Sequence, residues 1–335
     1  MRTRKQEKKP VHESGNQIHT VLRTRKHIAQ PKKAAASVDG LQEQRFVKNI
    51  PEKTDEPVLV KNKAKKYPRM QDKSKRISKS DQHKETVQPQ EGIIGGRNAV
   101  TEALRSGRPL NKIFIQEGLL GGSLGQILYL AKEAEVVVEY VKPEKLYALL
   151  PGIKHQGVAA VAAPVAFATL ESVLAKARSR GEAPFLLLLD ELQDPQNVGA
   201  LIRTADAAGV HGVLLPVRHS CPLNAVVAKT SAGAVEYVPV VQIGNITQTL
   251  QKLKEQGFWV VGADMAGSVC YDADLTGPIV IVVGAEGKGL GRLVRESCDI
   301  LVRLPMFGSI NSLNAGAAGA VLMYEVVRQR LARNK

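Results

Sequence analysis

The stretch that most restricts how this chain can fold is Ile279–Leu290, Ile-Val-Ile-Val-Val-Gly-Ala-Glu-Gly-Lys-Gly-Leu. Five consecutive apolar residues with no polar alternation predict a buried strand, and the glycines that follow predict a flexible loop at its end. A second segment, Leu304-Pro-Met-Phe-Gly-Ser-Ile-Asn-Ser-Leu-Asn314, reads as another strand end emptying into a loop rich in Gly, Ser and Asn. Two such loops offer many backbone N–H and C=O groups to a polar cofactor. The run after them, Ala315-Gly-Ala-Ala-Gly-Ala, predicts a closing helix over 315–331 whose first turns carry almost no side chain and can approach other backbone closely.

Upstream, Phe185-Leu-Leu-Leu-Leu-Asp190 is a second unbroken apolar run, as expected of a strand covered on both faces of a parallel sheet. Strand patterns recur at 212–216, 238–242 and 258–263, with helices between them at 225–229 and 246–256, the rhythm of a doubly wound sheet. Cys270 and Trp259 are expected in or near the core. After Asp190 comes a polar loop, Asp194-Pro-Gln-Asn197-Val-Gly-Ala-Leu-Ile-Arg203-Thr-Ala, that leads into a helix. Asn197 is expected at the cap of that helix. Arg203 is expected off its apolar stripe of Val198, Leu201, Ile202 and Ala205. Taken singly, the first could be only a cap and the second only a surface charge.

Charge separates the rest of the chain into parts. The net charge is +15, and residues 1–90 hold 23 Lys and Arg against 10 Asp and Glu, which leaves +2 for residues 91–335. Clusters such as Lys61-Asn-Lys-Ala-Lys-Lys alternate there with Pro, Gln and Ser, too few of them apolar to offset the entropy of ordering, so 1–90 is expected to be a disordered basic tail. It reads either as an arm that neutralises nucleic-acid phosphates or as a solvated tail without a partner. Residues 91–163 alternate helix and strand patterns, with helices after Gly96 and over 124–133 and strands over 112–116 and 136–140, which predicts a small α/β domain. A Pro-flanked connector, 164–184, is expected to let it move against the main domain, 185–335. Three cysteines without metal-ligand spacing indicate neither a disulfide framework nor a metal site. With no run near the roughly 18 apolar residues of a membrane span, the expected location is the cytoplasm.

Three of these segments carry a resemblance. Asp194-Pro-x-Asn197-x-Gly199-x-x-x-Arg203-x-Ala, the loop after Val283, and Leu304-Pro-Met with Ser312-Leu-Asn314 resemble, in order, the three signature motifs of the SpoU (TrmH-like) RNA 2'-O-ribose methyltransferases. The likeness covers roughly residues 92–332 and is nearest the branch that methylates a guanosine of 23S ribosomal RNA. It implies a catalytic domain of the SPOUT type with a trefoil-knotted, mostly parallel sheet, preceded by a small α/β substrate-binding domain. It also implies S-adenosylmethionine as cofactor, ribosomal RNA as partner, and a homodimer paired through the knotted domain. Carried over by motif, Arg203, Asn197, Glu286, Ser312 and Asn314 form the catalytic set, and Gly284, Leu304, Met306 and Leu313 hold the cofactor. No metal is implied. The front region resembles the ribosomal-protein-like substrate domain of one branch, which implies RNA contacts from Arg97, Asn98 and His155. Taken by itself, His155 before a glycine turn is a structural turn residue. The family often places Val-Ser after Ser-Leu-Asn where this chain has Ala315-Gly316, so a looser helix start is expected.

Other readings are weaker. The glycines at 284, 287 and 289 do not follow the dinucleotide fingerprint, which sets aside a nicotinamide-dependent oxidoreductase. A transfer-RNA methyltransferase is the nearest alternative. A catalytically silent RNA-binding assembly factor would be expected to lose Asn197, Arg203 or Glu286, and all three are present.

Overall fold

The computed structural model describes residues 92–333. The basic tail expected over 1–90 lies outside the described residues. The front sheet is built from β1 (Ile93–Gly95), α1 (Arg97–Arg105), β2 (Leu110–Gln116), α2 (Leu124–Glu133), β3 (Val137–Val141), α3 (Pro143–Leu149) and β4 (Val158–Ala162). Its strand order is β1-β4-β2-β3, with β2 and β3 parallel and β4 antiparallel to both its neighbours. Alternation along β2 decides what covers each face. Ile113 and Ile115 enter one apolar cluster with Ala103 of α1 and Ile127 of α2, while Phe114 enters another with Leu146 of α3. The sequence patterns missed β1 and α3. The first is only three residues long, and the second is a short helix opened by Pro143 at its first position.

The main sheet follows α4 (Leu170–Ser179) and takes β5 (Phe185–Leu189), α5 (Pro195–Ala207), β6 (Gly212–Pro216), α6 (Ala225–Thr230), β7 (Val240–Ile243), α7 (Ile246–Glu255), β8 (Trp259–Val269), β9 (Ile279–Val283), α8 (Arg292–Glu296), β10 (Ile300–Arg303) and α9 (Ala315–Arg333). Its six strands run in the order β10-β8-β9-β5-β6-β7, and every neighbouring pair is parallel. The two unbroken apolar runs are the two central strands, β5 and β9. Leu187, Leu189, Ile281 and Val283 face the cluster that α5 and α9 complete, whereas Leu186, Leu188, Val280 and Val282 face the layer of α4 and α7. That double burial is why neither strand shows polar alternation. No helix among the described residues is long and apolar enough to cross a membrane.

Two features depart from the sequence reading. Cys270 is buried, but Trp259 is 52% exposed at the first position of β8, and Val260 and Val261 after it take the two buried faces. The strand is also longer than the expected 258–263. β10 pairs with β8 at Val261 and Gly262, then again at Ser268 and Val269, so residues 263–267 bulge outward between the two registers. Gly267 makes this possible, because a Cβ there would stand 2.5 Å from the Val302 amide nitrogen.

α9 returns across α5 and the end of β9. A Cβ on Gly319 would collide with the Leu201 side chain, so the small residues of this helix serve the close approach read from the sequence. Its far end is pinned by Arg330, whose guanidinium donates to the carbonyls of Ala183 (2.8 Å), Pro184 (3.2 Å) and Gly277 (2.8 Å) and lies over the Phe185 ring.

Candidate active site

The C-terminal ends of β8, β9 and β10 open on one side of the sheet, and the segments that follow them enclose a cavity of about 690 Å³, within the usual size of a cofactor site. The loop after β9 forms one wall. It closes on itself through paired backbone bonds between Ala285 and Gly289 (2.9 and 3.1 Å), and Gly284 sits so tightly under the closure that any Cβ would strike the Gly289 carbonyl. The segment from Leu304 to Asn314 forms the opposite wall, with Leu304, Met306, Ser312, Leu313 and Asn314 all lining the cavity. The bulge of β8 supplies a third wall through Ala263, Asp264 and Met265, which the sequence reading did not single out. The available signal was the pair of glycines, Gly262 and Gly267, that bracket the bulge.

Three of the sequence-derived catalytic residues meet at the cavity rim. Asn314 donates through Nδ2 to Glu286 Oε1 (2.7 Å) and to Asn197 Oδ1 (2.9 Å), and Asn197 Nδ2 donates to the same Glu286 oxygen (2.9 Å). Three segments far apart in the chain are thus tied by one amide–carboxylate triangle. Asn197 is not the cap of α5, however. That role belongs to Asp194, whose carboxylate accepts from the amides of Gln196 (3.1 Å) and Asn197 (3.3 Å), with Pro195 as the first helical residue. Asn197 lies inside the first turn, buried, with its amide free to join the triangle.

The Ala315-Gly316 start of α9 is not left loose. The Asn314 side-chain oxygen accepts from the Ala317 amide (3.2 Å), and a Cβ on Gly316 would already lie 3.3 Å from Asn197 Oδ1 and 3.5 Å from Ala200 Cβ. A small residue at 316 is what lets α9 lie against α5.

Arg203 stands apart from the triangle. It is exposed on α5, six residues and so about 9 Å along the helix axis beyond Asn197, and it does not line the cavity. A smaller recess of about 250 Å³ shares Ala285, Glu286 and Lys288 with the cavity and is walled on its other side by residues 191–194.

In the front domain Asn98 is exposed, while Arg97 is half-buried and donates to the carbonyls of Gly121 (3.2 Å) and Gln156 (3.3 Å). His155 is buried. Its Nδ1 accepts from the Gly157 amide (3.1 Å), and its ring stands edge-on to Tyr147. The turn-forming reading of this histidine is therefore the one its geometry supports, because the ring is not presented to solvent.

Asp190, at the end of β5, is a buried carboxylate that accepts from the Gly291 amide (2.8 Å), the residue that ends the loop after β9. Burial pushes its pKa above the ordinary carboxylate value. The acceptor, more than the charge, should hold the loop. Asp190→Ala removes the acceptor that holds the exposed Gly291 amide, a loss of about 0.5–1.5 kcal/mol, so titration calorimetry should show the cavity's ligand bound about fivefold more weakly. Asp190→Asn keeps an acceptor oxygen and should stay within about threefold of the wild type. Equal damage from both variants would assign the effect to the charge instead.

Comparison with known proteins agrees with this geometry. A model of the SpoU rRNA methylase family matches residues 184–324, and one described as RNA 2'-O ribose methyltransferase substrate binding matches 93–168. The protein YacO of Bacillus subtilis, assigned to the TrmH family of tRNA/rRNA methyltransferases, is 44% identical over 242 residues, 72% of this chain and 97% of YacO. A Staphylococcus aureus protein with the same assignment is 43% identical over 241 residues, 71% of this chain and 96% of its own. Among solved structures, the SpoU methyltransferase AviRb of Streptomyces viridochromogenes in complex with AdoMet superposes with a TM-score of 0.60 at 25% identity, covering 72% of this chain and 90% of AviRb. An RNA 2'-O ribose methyltransferase superposes with a TM-score of 0.58 at 26% identity, covering 71% and 88%.

Proposed function

Since the chain belongs to the TrmH family of tRNA/rRNA methyltransferases, with S-adenosylmethionine as its cofactor, we propose that it methylates a ribose 2'-hydroxyl of ribosomal RNA, at a guanosine of the 23S molecule. The observation that carries this reading is the Asn197–Glu286–Asn314 triangle on the rim of a cavity made by three separated segments. The cavity suits the cofactor. Its size is that of a nucleoside-like ligand, and its walls at Gly284, Leu304 and Leu313 offer backbone donors and acceptors beside the apolar Met306 and Leu322.

When bound, S-adenosylmethionine supplies an electrophilic methyl group whose departure leaves a neutral sulfide and needs no metal. The work of this chain is then alignment and proton removal. The two amides and the Glu286 carboxylate orient the polar groups at the mouth of the cavity, and the acceptor ribose lies over the recess that adjoins it. Arg203 is a poor choice of base, because a guanidinium offers N–H donors and no acceptor. In this reading it grips the RNA phosphate next to the reacting ribose and so holds the hydroxyl in line with the methyl group.

The same reading includes a trefoil knot in the main domain, a homodimer and a cytoplasmic location. A second copy has a ready surface: Ala317, Val321, Tyr324, Arg328 and Leu331 form an exposed stripe along α9, and Phe307 and Ile310 are exposed in the segment before it. Asn197, Arg203 and Glu286 are all kept, which favours catalysis over a silent assembly role. Incubating the protein and labelled S-adenosylmethionine with ribosomal RNA from cells lacking the gene, then mapping the label by mass spectrometry of nuclease fragments, tests the proposal. One labelled guanosine in 23S RNA is expected. Label confined to transfer RNA added to the same mixture would overturn the choice of substrate.

A further inference from the structure

The segment Lys229-Thr-Ser-Ala-Gly-Ala-Val-Glu236 lies outside the cofactor cavity, yet it packs against both α5 and the front domain. Its near side is α5. Thr230 Oγ1 stands 3.2 Å from the Pro195 carbonyl oxygen, and a Cβ on Gly199 would collide with Thr230, so α6 and α5 are packed backbone against side chain with no room to slide.

Its far side is the front domain. Ala225 at the start of α6 shares an apolar cluster with Ile93, Leu146 and Leu150. Gly233, held at φ +92°, would place a Cβ only 2.5 Å from Glu102 Cβ, and the Tyr237 hydroxyl donates to the Glu102 carboxylate (2.6 Å). The Lys229 ammonium donates to the Lys154 carbonyl. Beneath these contacts, Arg108 and Glu236 form an ion pair at 2.7 Å whose side chains are only 9% and 5% exposed, and Arg108 also donates to the Ala163 carbonyl (2.7 Å). Taking both charges out of water is costly unless their geometry is kept, so such a pair favours one docking register over its neighbours more than it adds stability.

We infer that residues 225–237 form a docking platform that fixes the front domain in one orientation, with Arg108 and Glu236 as positioning residues that register bound RNA against α5. This rests on the RNA-methylating function proposed above. It replaces the mobile front domain expected from the Pro-flanked connector, because the connector is not what sets the orientation. RNA held by the front domain is then presented to Asn197 and Arg203 through only one intervening helix, α6.

Two measurements on the full chain test it. Spin labels at Lys132→Cys in the front domain and Lys252→Cys in the main domain, both exposed positions, report the distance between the domains. The buried Cys221 and Cys270 and the half-buried Cys298 have thiol pKa values raised by burial, Cys298 to about 12, and should stay unlabelled. The wild type should give one narrow distance distribution and Arg108→Met a broad one, with the narrow form restored by the exchanged pair Arg108→Glu/Glu236→Arg. In parallel, Arg108→Met should lower kcat/KM for RNA on the order of a hundredfold while leaving S-adenosylmethionine affinity unchanged. Should Arg108→Met not fold, the double variant Arg108→Met/Glu236→Met, which removes the pair without leaving either charge buried alone, carries the same comparison. A narrow distribution in the unpaired variant overturns the inference. Broadening in a protein whose wild type methylates no RNA leaves the platform standing and removes the proposed function instead.

Discussion

Arg203→Ala should lower methyl transfer by about a thousandfold and leave S-adenosylmethionine affinity within about twofold of the wild type. The separation follows from position. Arg203 is exposed on α5 and does not line the cavity, so its loss removes nothing from the cofactor's surroundings. The triangle of Asn197, Glu286 and Asn314 also stays intact, because Asp194 and Pro195 set the start of α5 without help from Arg203. Arg203→Lys should fail almost as badly, since a planar fork that grips phosphate through two N–H groups becomes a single ammonium. Single-turnover kinetics beside calorimetry would separate the two effects. Near-normal turnover in the alanine variant would remove Arg203 from the reaction.

Gly284→Ala should have the opposite signature, with cofactor binding lost first. The added methyl would strike the Gly289 carbonyl and stand 2.5 Å from the Leu290 amide nitrogen. These atoms belong to the backbone, so no side chain can swing aside, and the Ala285–Gly289 closure must open. Overpacking of this kind costs about 1–3 kcal/mol, which at its upper end weakens S-adenosylmethionine binding by about a hundredfold. β9 ends at Val283, so the sheet should keep its stability, and circular dichroism melting beside calorimetry checks both halves of the prediction. Unchanged affinity would mean that the loop is not the cofactor's wall.

The central strands and the glycine loop could be read from the sequence because their causes are local. An apolar run without alternation has few structural outcomes, and β5 and β9 are buried on both faces as those runs require. The triangle was reached through motif resemblance. No local rule says that residues 197, 286 and 314 will share hydrogen bonds. The cap of α5 was misplaced by three residues because Asn197 is a good capping residue type, whereas Asp194 followed by Pro195 is the stronger start signal. The third wall of the cavity could not be read because it depends on β10 pairing with β8 in two registers, a long-range choice that leaves only two glycines as its trace. His155 shows the reverse limit: its motif context suggested a contact, and its surroundings give it a turn to hold. The Arg108–Glu236 pair spans 128 residues of sequence, so neither residue looks different from a surface charge until the domains are docked.

The destination of the methyl group decides between a ribose and a base as its acceptor, and the products of alkaline hydrolysis report it directly. RNA incubated with the protein and S-adenosylmethionine labelled in its methyl group should yield the label in an alkali-stable dinucleotide, because a methylated 2'-oxygen can no longer attack the adjoining phosphate. Label recovered in ordinary mononucleotides would place the methyl group on a base and contradict the account.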